Sequence, residues 1–211
     1  DALNIQRATL YPKATQSIPD IIECIEQLIQ KGYAYLADGD VFFEVSKNPN
    51  YGKLSKKKMD ELEVGKRVEV NTAKKSPFDF VLWKAVKPGE PYWPSPWGDG
   101  RPGWHIECSA MVQKTFSGPI DIHGGGEDLM FPHHENEICQ SECLTGHPLA
   151  HYWIHNGFVT IRDEKMSKSL GNIVNVKALR QSFSGNVIRF YLLRTHYRHP
   201  CHFSEKGLIE A

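Results

Sequence analysis

The chain has 211 residues, 40% of them hydrophobic and 24% charged, which is enough apolar material to bury at least one core. No run approaches the roughly eighteen apolar residues that cross a bilayer, and the opening Asp1-Ala2-Leu3-Asn4 has neither the basic nor the apolar region of a signal peptide, so a soluble protein with no membrane partner is expected. The 25 basic and 25 acidic side chains cancel. The chain as a whole therefore does not attract a polyanion, although a local positive face is enough to dock RNA phosphates.

In chain order, Ser17-Ile18-Pro19-Asp20 followed by Ile21, Ile22, Ile25, Leu28 and Ile29 predicts a helix capped at Ser17 and stopped at Gly32. Little precedes it, and Asp1 to Tyr11 carries no clear element, so the chain is expected to open inside a domain. Tyr33 to Leu36 and Val41 to Val45 read as strands around an Asp38-Gly39 turn. Residues 46 to 98 alternate polar runs, the basic Lys53 to Lys58 among them, with short apolar patches such as Phe78 to Trp83. Their prolines and glycines exclude long regular elements.

From Gly103 the texture changes. Trp104 to Val112 predicts a helix, Ile120 to His123 a short strand, Gly124-Gly125-Gly126 a tight turn, and Pro132 to about Leu144 a helix with proline in its first turn. Tyr152 to Ile154 and Phe158-Val159 predict strands. Residues 173 to 211 read as helical pieces, notably Asn186 to Arg194, finishing at His199-Pro200. Strand, glycine turn and helix in that order resemble half of a parallel α/β domain, in which ligands sit beyond the carboxyl ends of strands.

Five cysteines, Cys24, Cys108, Cys139, Cys143 and Cys201, are odd in number and form no CxxC pair, which suits a reducing, cytoplasmic compartment. Four of them read as small buried hydrophobes; Cys108 has neighbours that suggest more. The densest constellation is His123-Gly124-Gly125-Gly126-Glu127-Asp128 running on to Phe131-Pro132-His133-His134-Glu135-Asn136-Glu137. On one helix His133 and Glu137 share a face and can bind zinc together, with Cys108 as a third ligand; spacing alone leaves His134 equally open. An ordinary helix N-terminus, its acidic residues offsetting the amide dipole, explains the same pattern. The glycines let a loop pass beneath a nucleotide, and Asp128 is placed to bond a sugar hydroxyl, although a simple tight turn accounts for them too. Lys165-Met166-Ser167-Lys168-Ser169 can neutralise a triphosphate, or be a solvated basic loop; it is not the Walker pattern. The basic run Arg189, Arg194, His196, Arg198 and His199 can meet RNA phosphate or simply end a helix.

These blocks together resemble the cysteine–tRNA ligases, class I aminoacyl-tRNA synthetases, over essentially all 211 residues. Lys165 to Ser169 matches the second class I signature; Gly103 to Ser109, His123 to Gly126 and Phe131 to Glu137 match the cysteine-specific blocks. The resemblance implies an α/β fold, a partial Rossmann-like class I catalytic domain with a small α+β connective insert. It divides the chain into 1 to 32 (end of the first catalytic half), 33 to 98 (insert), 99 to 160 (second half with the zinc site) and 161 to 211 (lysine loop and start of the stem-contact region). It implies one Zn2+ on Cys108, His133 and Glu137 with an upstream cysteine as fourth ligand, and zinc meeting the substrate thiolate. Trp104 would wall the amino-acid pocket, and His123, Gly124, Gly125 and Asp128 would line the adenylate site. Lys168, helped by Lys165, would stabilise the departing pyrophosphate. The implied partners are L-cysteine, ATP with Mg2+, and the tRNA for cysteine, acting on a monomer.

The first class I signature, His-x-Gly-His, is not in these residues, so the chain is expected to be an internal stretch of a protein about twice as long and inactive alone. Three rivals fit less of the sequence. They are the cysteine ligase of mycothiol synthesis, a non-catalytic zinc-stabilised binding module with four protein ligands, and a structural or RNA-binding remnant.

Overall fold

The computed structural model describes residues 2–57, 72–161, 164–166 and 173–211. It divides into two compact units, Pro12–His123 with Leu129–Tyr152, and Asp1–Tyr11 with Gly124–Asp128 and Trp153–Ala211.

The larger unit begins with α1 (Ile18–Gln30), which buries Ile18, Ile21, Ile25 and Leu28 at helical spacing. Pro19 stands in its first turn, where no amide is needed, Asp20 meets the positive end of the dipole, and Gly32 closes the helix at φ +78°. Ser17 occupies the cap position, but contrary to expectation its side chain makes no capping bond. A four-stranded antiparallel sheet follows in the order β1 (Ala34–Ala37), β2 (Asp40–Phe43), β3 (Phe80–Ala85), β4 (Gly100–Pro102). Asp38 and Gly39 both have positive φ, as a tight two-residue hairpin requires. The buried Asp79 carboxylate ties the sheet margin together by accepting from the amides of Val45 and Ser76 and the hydroxyl of Tyr35.

Two further helices, α2 (Trp104–Thr115) and α3 (Glu135–Thr145), pack on α1 and on each other. Their core joins Ile21, Ile25 and Leu28 to Phe43, Leu82, Trp83, Ile106, Ala110, Cys139 and Leu144. Gly103, the N-cap of α2, lies so close to β3 that a Cβ there would stand 2.1 Å from the Val81 carbonyl oxygen, and this contact sets where α2 starts. The helix expected from Pro132 begins only at Glu135. A wider turn over Met130–His134, extended at Phe131, comes first, and it buries His133 and His134. A separate two-stranded sheet pairs β5 (Ile120–Gly126) with β6 (Ala150–Asn156). The three glycines expected to turn thus finish a strand, and the turn falls on Glu127–Leu129 instead.

In the smaller unit β7 (Val159–Ile161) pairs antiparallel with β8 (Glu164–Lys165) and parallel with β9 (Cys201–His202). Three short helices, α4 (Val176–Leu179), α5 (Gly185–Leu193) and α6 (Glu205–Ile209), are each capped by the preceding side chain: Asn175, Ser184 and Ser204. The structured chain therefore continues past His199-Pro200. Ile188, Tyr191, Cys201 and Leu208 form its core, and the Tyr191 hydroxyl donates to the His202 carbonyl. Among the described residues no helix is long and apolar enough to cross a membrane.

Candidate metal centre

Helix periodicity and the wide turn before α3 converge on one point of the larger unit. Cys108 and His105 lie three apart on α2 and so share a face; His133 ends the turn and Glu137 stands four residues on. One donor atom from each of Cys108, His133 and Glu137 lies within 4.8 Å of the other two. Tetrahedral zinc with bonds of roughly 2.0–2.3 Å sets its ligand atoms roughly 3.3–3.8 Å apart. His133 Nε2 and Glu137 Oε1 are at 3.1 Å, close to that spacing, and a thiol, an imidazole and a carboxylate form a donor set that zinc accepts. The group fits these residues.

The same carboxylate has a second partner. Glu137 Oε2 is 2.6 Å from His123 Nε2, and His123, His134 and Glu137 form a second trio of donor atoms within 4.8 Å. The sequence reading had His134 only as a stand-in for His133, and had not placed His123 on Glu137. No spacing rule could have found that contact, because it joins the middle of β5 to the first turn of α3, fourteen residues on.

His105 was also missed, although its three-residue offset from Cys108 was visible. Its Nδ1 lies 2.8 Å from His133 Nδ1. Burial, and then the neighbouring His133, lower the His105 pKa to about 4, so at neutral pH it is uncharged and, once a metal replaces the His133 Nε2–H that meets Glu137, can accept His133 Nδ1–H and orient the ring. Replacing His105 with phenylalanine is expected to lower zinc affinity about 10-fold, measured by chelator competition, with the circular dichroism spectrum unchanged.

Electrostatics prepare the acceptors unequally. Burial, and then the charge of Glu137, push the Cys108 thiol up to about 12, so it holds its proton when no metal is bound. Burial alone would raise Glu137, but hydrogen bonds from His123 and His133 outweigh it and hold the carboxyl at about 2. Trp104 is 58% exposed and lays its ring over His133 at 4.3 Å between centroids, giving the centre an apolar, solvent-facing margin.

The start of α3 is fixed from behind. The fully buried Glu135 carboxylate accepts from the amides of Gly52 (3.0 Å), Leu54 (3.4 Å) and Ser55 (2.9 Å), and the Tyr51 hydroxyl donates to Asn136 Oδ1 (2.7 Å). Ser109 of α2 donates to Gln140 of α3 at 2.6 Å.

The other expected site residues belong to the smaller unit or lie outside the described residues. Gly124, Gly125 and Asp128 belong to the smaller unit, at the end of β5 and in the turn after it. The backbone of Lys165 in β8 pairs with Thr160 in β7; Lys168 and the rest of Ser167 to Asn172 lie outside the described residues.

The fold resembles that of class I synthetases: a methionyl-tRNA synthetase of Mycobacterium tuberculosis, with methionyl-adenylate, superposes at a TM-score of 0.67 over 99% of this chain and 52% of its own, at 17% identity. The family description "tRNA synthetases class I (C) catalytic domain" matches residues 1–211. The cysteine–tRNA ligase of Carboxydothermus hydrogenoformans is 59% identical over 211 residues, covering all of this chain and 45% of the relative. That of Thermodesulfovibrio yellowstonii is 60% identical over 215 residues, again all of this chain and 44% of the relative. The chain belongs to the cysteine–tRNA ligase family of class I aminoacyl-tRNA synthetases, with the mixed α/β architecture of its catalytic domain. It spans less than half the length of these curated relatives.

Proposed function

We propose that this chain provides part of the catalytic domain of an ATP-dependent cysteine–tRNA ligase. Such an enzyme activates L-cysteine to cysteinyl adenylate with release of pyrophosphate, then passes the cysteinyl group to the tRNA for cysteine with release of AMP. The observation that carries the reading is the donor trio of Cys108, His133 and Glu137 beside Trp104, in a chain 59% identical to a cysteine–tRNA ligase.

In this reading Cys108, His133 and Glu137 hold Zn2+, with a cysteine from outside residues 1–211 completing the protein ligands. Zinc, when bound, offers the substrate thiolate a soft coordination position that serine or valine cannot fill. Glu137, already ionised at neutral pH, enters the ligand set without losing a proton, whereas Cys108 must give one up. Trp104, exposed beside His133, walls the pocket of a small side chain. His123 is held against Glu137 at 2.6 Å; with Gly124, Gly125 and Asp128 it is assigned to the adenylate site. Activation needs no protein nucleophile, because the cysteine carboxylate attacks the α-phosphate of MgATP. The chain's task is positioning, and Lys168 with Lys165 offsets charge on the departing pyrophosphate.

The segments 1 to 32, 33 to 98, 99 to 160 and 161 to 211 are assigned as end of the first catalytic half, insert, second half and start of the stem-contact region. A monomer acting in the cytoplasm suits this reading. Isothermal titration of cysteine against serine on zinc-loaded and metal-stripped protein tests it. The expected result is cysteine binding that needs zinc, with serine at least about 100-fold weaker. Equal binding of the two, with or without zinc, would return the three donors to a structural role.

A further inference from the structure

Glu137 presents its two oxygens to different donors. Oε1 lies 3.1 Å from His133 Nε2, in the trio that Cys108 completes, whereas Oε2 lies 2.6 Å from His123 Nε2. A ring nitrogen of His134 completes the second group, in which the donor atoms of His123, His134 and Glu137 lie within 4.8 Å of one another. Three separate pieces of backbone build it: His123 stands in β5, His134 ends the wide turn, and Glu137 lies in the first turn of α3. His134 and Glu137 are buried, and the His123 and His134 rings are inclined at 59° with centroids 4.8 Å apart, so they do not stack face to face.

A carboxylate with one oxygen turned to each of two donor groups is the arrangement that bridges two metal ions about 3.5–4 Å apart. We propose that His123, His134 and Glu137 form a second metal site, filled by an ion such as Zn2+ or Co2+ once Cys108, His133 and Glu137 hold the first. It rests on the proposed function only for that first ion. The second ion takes the place of the hydrogen between His123 Nε2 and Glu137 Oε2, the neutral ring carrying its proton on Nδ1 instead. Bonds of roughly 2.0–2.2 Å set those two atoms roughly 3.3–3.6 Å apart, so the 2.6 Å contact opens by about 1 Å.

The donor set defines the class of ion. Two imidazoles and a carboxylate suit a borderline-soft cation, whereas Mg2+ demands oxygen ligands. The site is the weaker of the two, because it has no thiolate, shares its carboxylate, and stands beside a dication already in place. Three protein donors leave it a coordination position for water or an added anion.

The test adds Co2+ to protein already loaded with one zinc ion, at about pH 8, where ordinary histidines are neutral. The expected result is one further equivalent whose visible d–d bands come without thiolate-to-cobalt absorption, since no cysteine is among its donors. That equivalent is expected to bind at least about 100-fold more weakly than the first ion, to resist displacement by excess Mg2+, and to be lost in His134→Ala. His123→Gln, at the less buried of the two histidines, is expected to lose it as well and serves if His134→Ala fails to fold. No uptake by the zinc-loaded wild type, thiolate absorption from the added ion, or a further equivalent that both histidine variants retain overturns the proposal. The first ion is read separately, by the thiolate absorption of metal-stripped protein given a single equivalent of Co2+. Absence of that band would overturn the assignment of Cys108 under the proposed function and leave the second site to be decided by the histidine variants.

Discussion

Cys108→Ser is expected to lower zinc affinity by more than about 100-fold, beyond the range that supporting residues around a ligand set control. A serine hydroxyl keeps the shape of the side chain but not the soft donor, so the loss measures coordination rather than packing. The pH dependence carries a second signature. With the metal-free thiol pushed up to about 12, zinc must displace one proton from Cys108, so log K is expected to rise by about one per pH unit between about pH 7 and 9. Glu137, held at about 2, is ionised throughout that window and adds nothing to the slope. In Cys108→Ser the slope should fall by about one and the thiolate-to-cobalt absorption of the Co2+-loaded protein should drop by one thiolate's share. If the serine variant keeps both affinity and slope, the metal belongs instead to His123, His134 and Glu137, and His134→Ala would then carry the loss.

What the sequence made legible follows from how local each signal is. The α1 pattern of Ile18, Ile21, Ile25 and Leu28, closed by Gly32, depends on residues within one turn of each other, and the helix lies where that pattern predicts. The Asp38-Gly39 hairpin was readable for the same reason. The start of α3 was not. A helix from Pro132 is the economical reading of proline tolerance, but packing of His133 and His134 inside the larger unit holds Met130–His134 in a wider turn, and the regular helix waits until Glu135. The glycine triplet failed as a turn because β6 pairs with the strand that carries it, and pairing partners far along the chain leave no local mark. At the metal centre, His133 and Glu137 were visible as a four-residue interval with Cys108 on a nearby helix as a third donor, the choice of His133 over His134 came from family resemblance, and His105 and the His123–Glu137 contact emerged only from the tertiary arrangement.

The largest stability effect is expected at a residue the sequence reading treated as a helix-end charge. Glu135→Gln preserves size, but an amide offers one accepting oxygen where the carboxylate had two, and turns N–H donors toward an amide of the 52–55 loop. At a site with no solvent exposure, at least one backbone amide is left without an acceptor, and the expected cost is about 2–4 kcal/mol in urea unfolding. Tyr51→Phe removes only the neighbouring hydroxyl bond to Asn136 and should cost about 1 kcal/mol. The two differ in kind as well as size. Glu135 lies two residues from both His133 and Glu137, so the amides that hold it also fix the direction of the turn that aims those ligands. Glu135→Gln should therefore weaken zinc binding about 10-fold even where the protein remains folded, while Tyr51→Phe leaves it near the parent value. Parallel losses of metal affinity in both variants would show that the 51–55 loop merely stabilises the unit. A loss confined to Glu135→Gln would make the buried carboxylate the positioning residue that sets the geometry of His133 and Glu137.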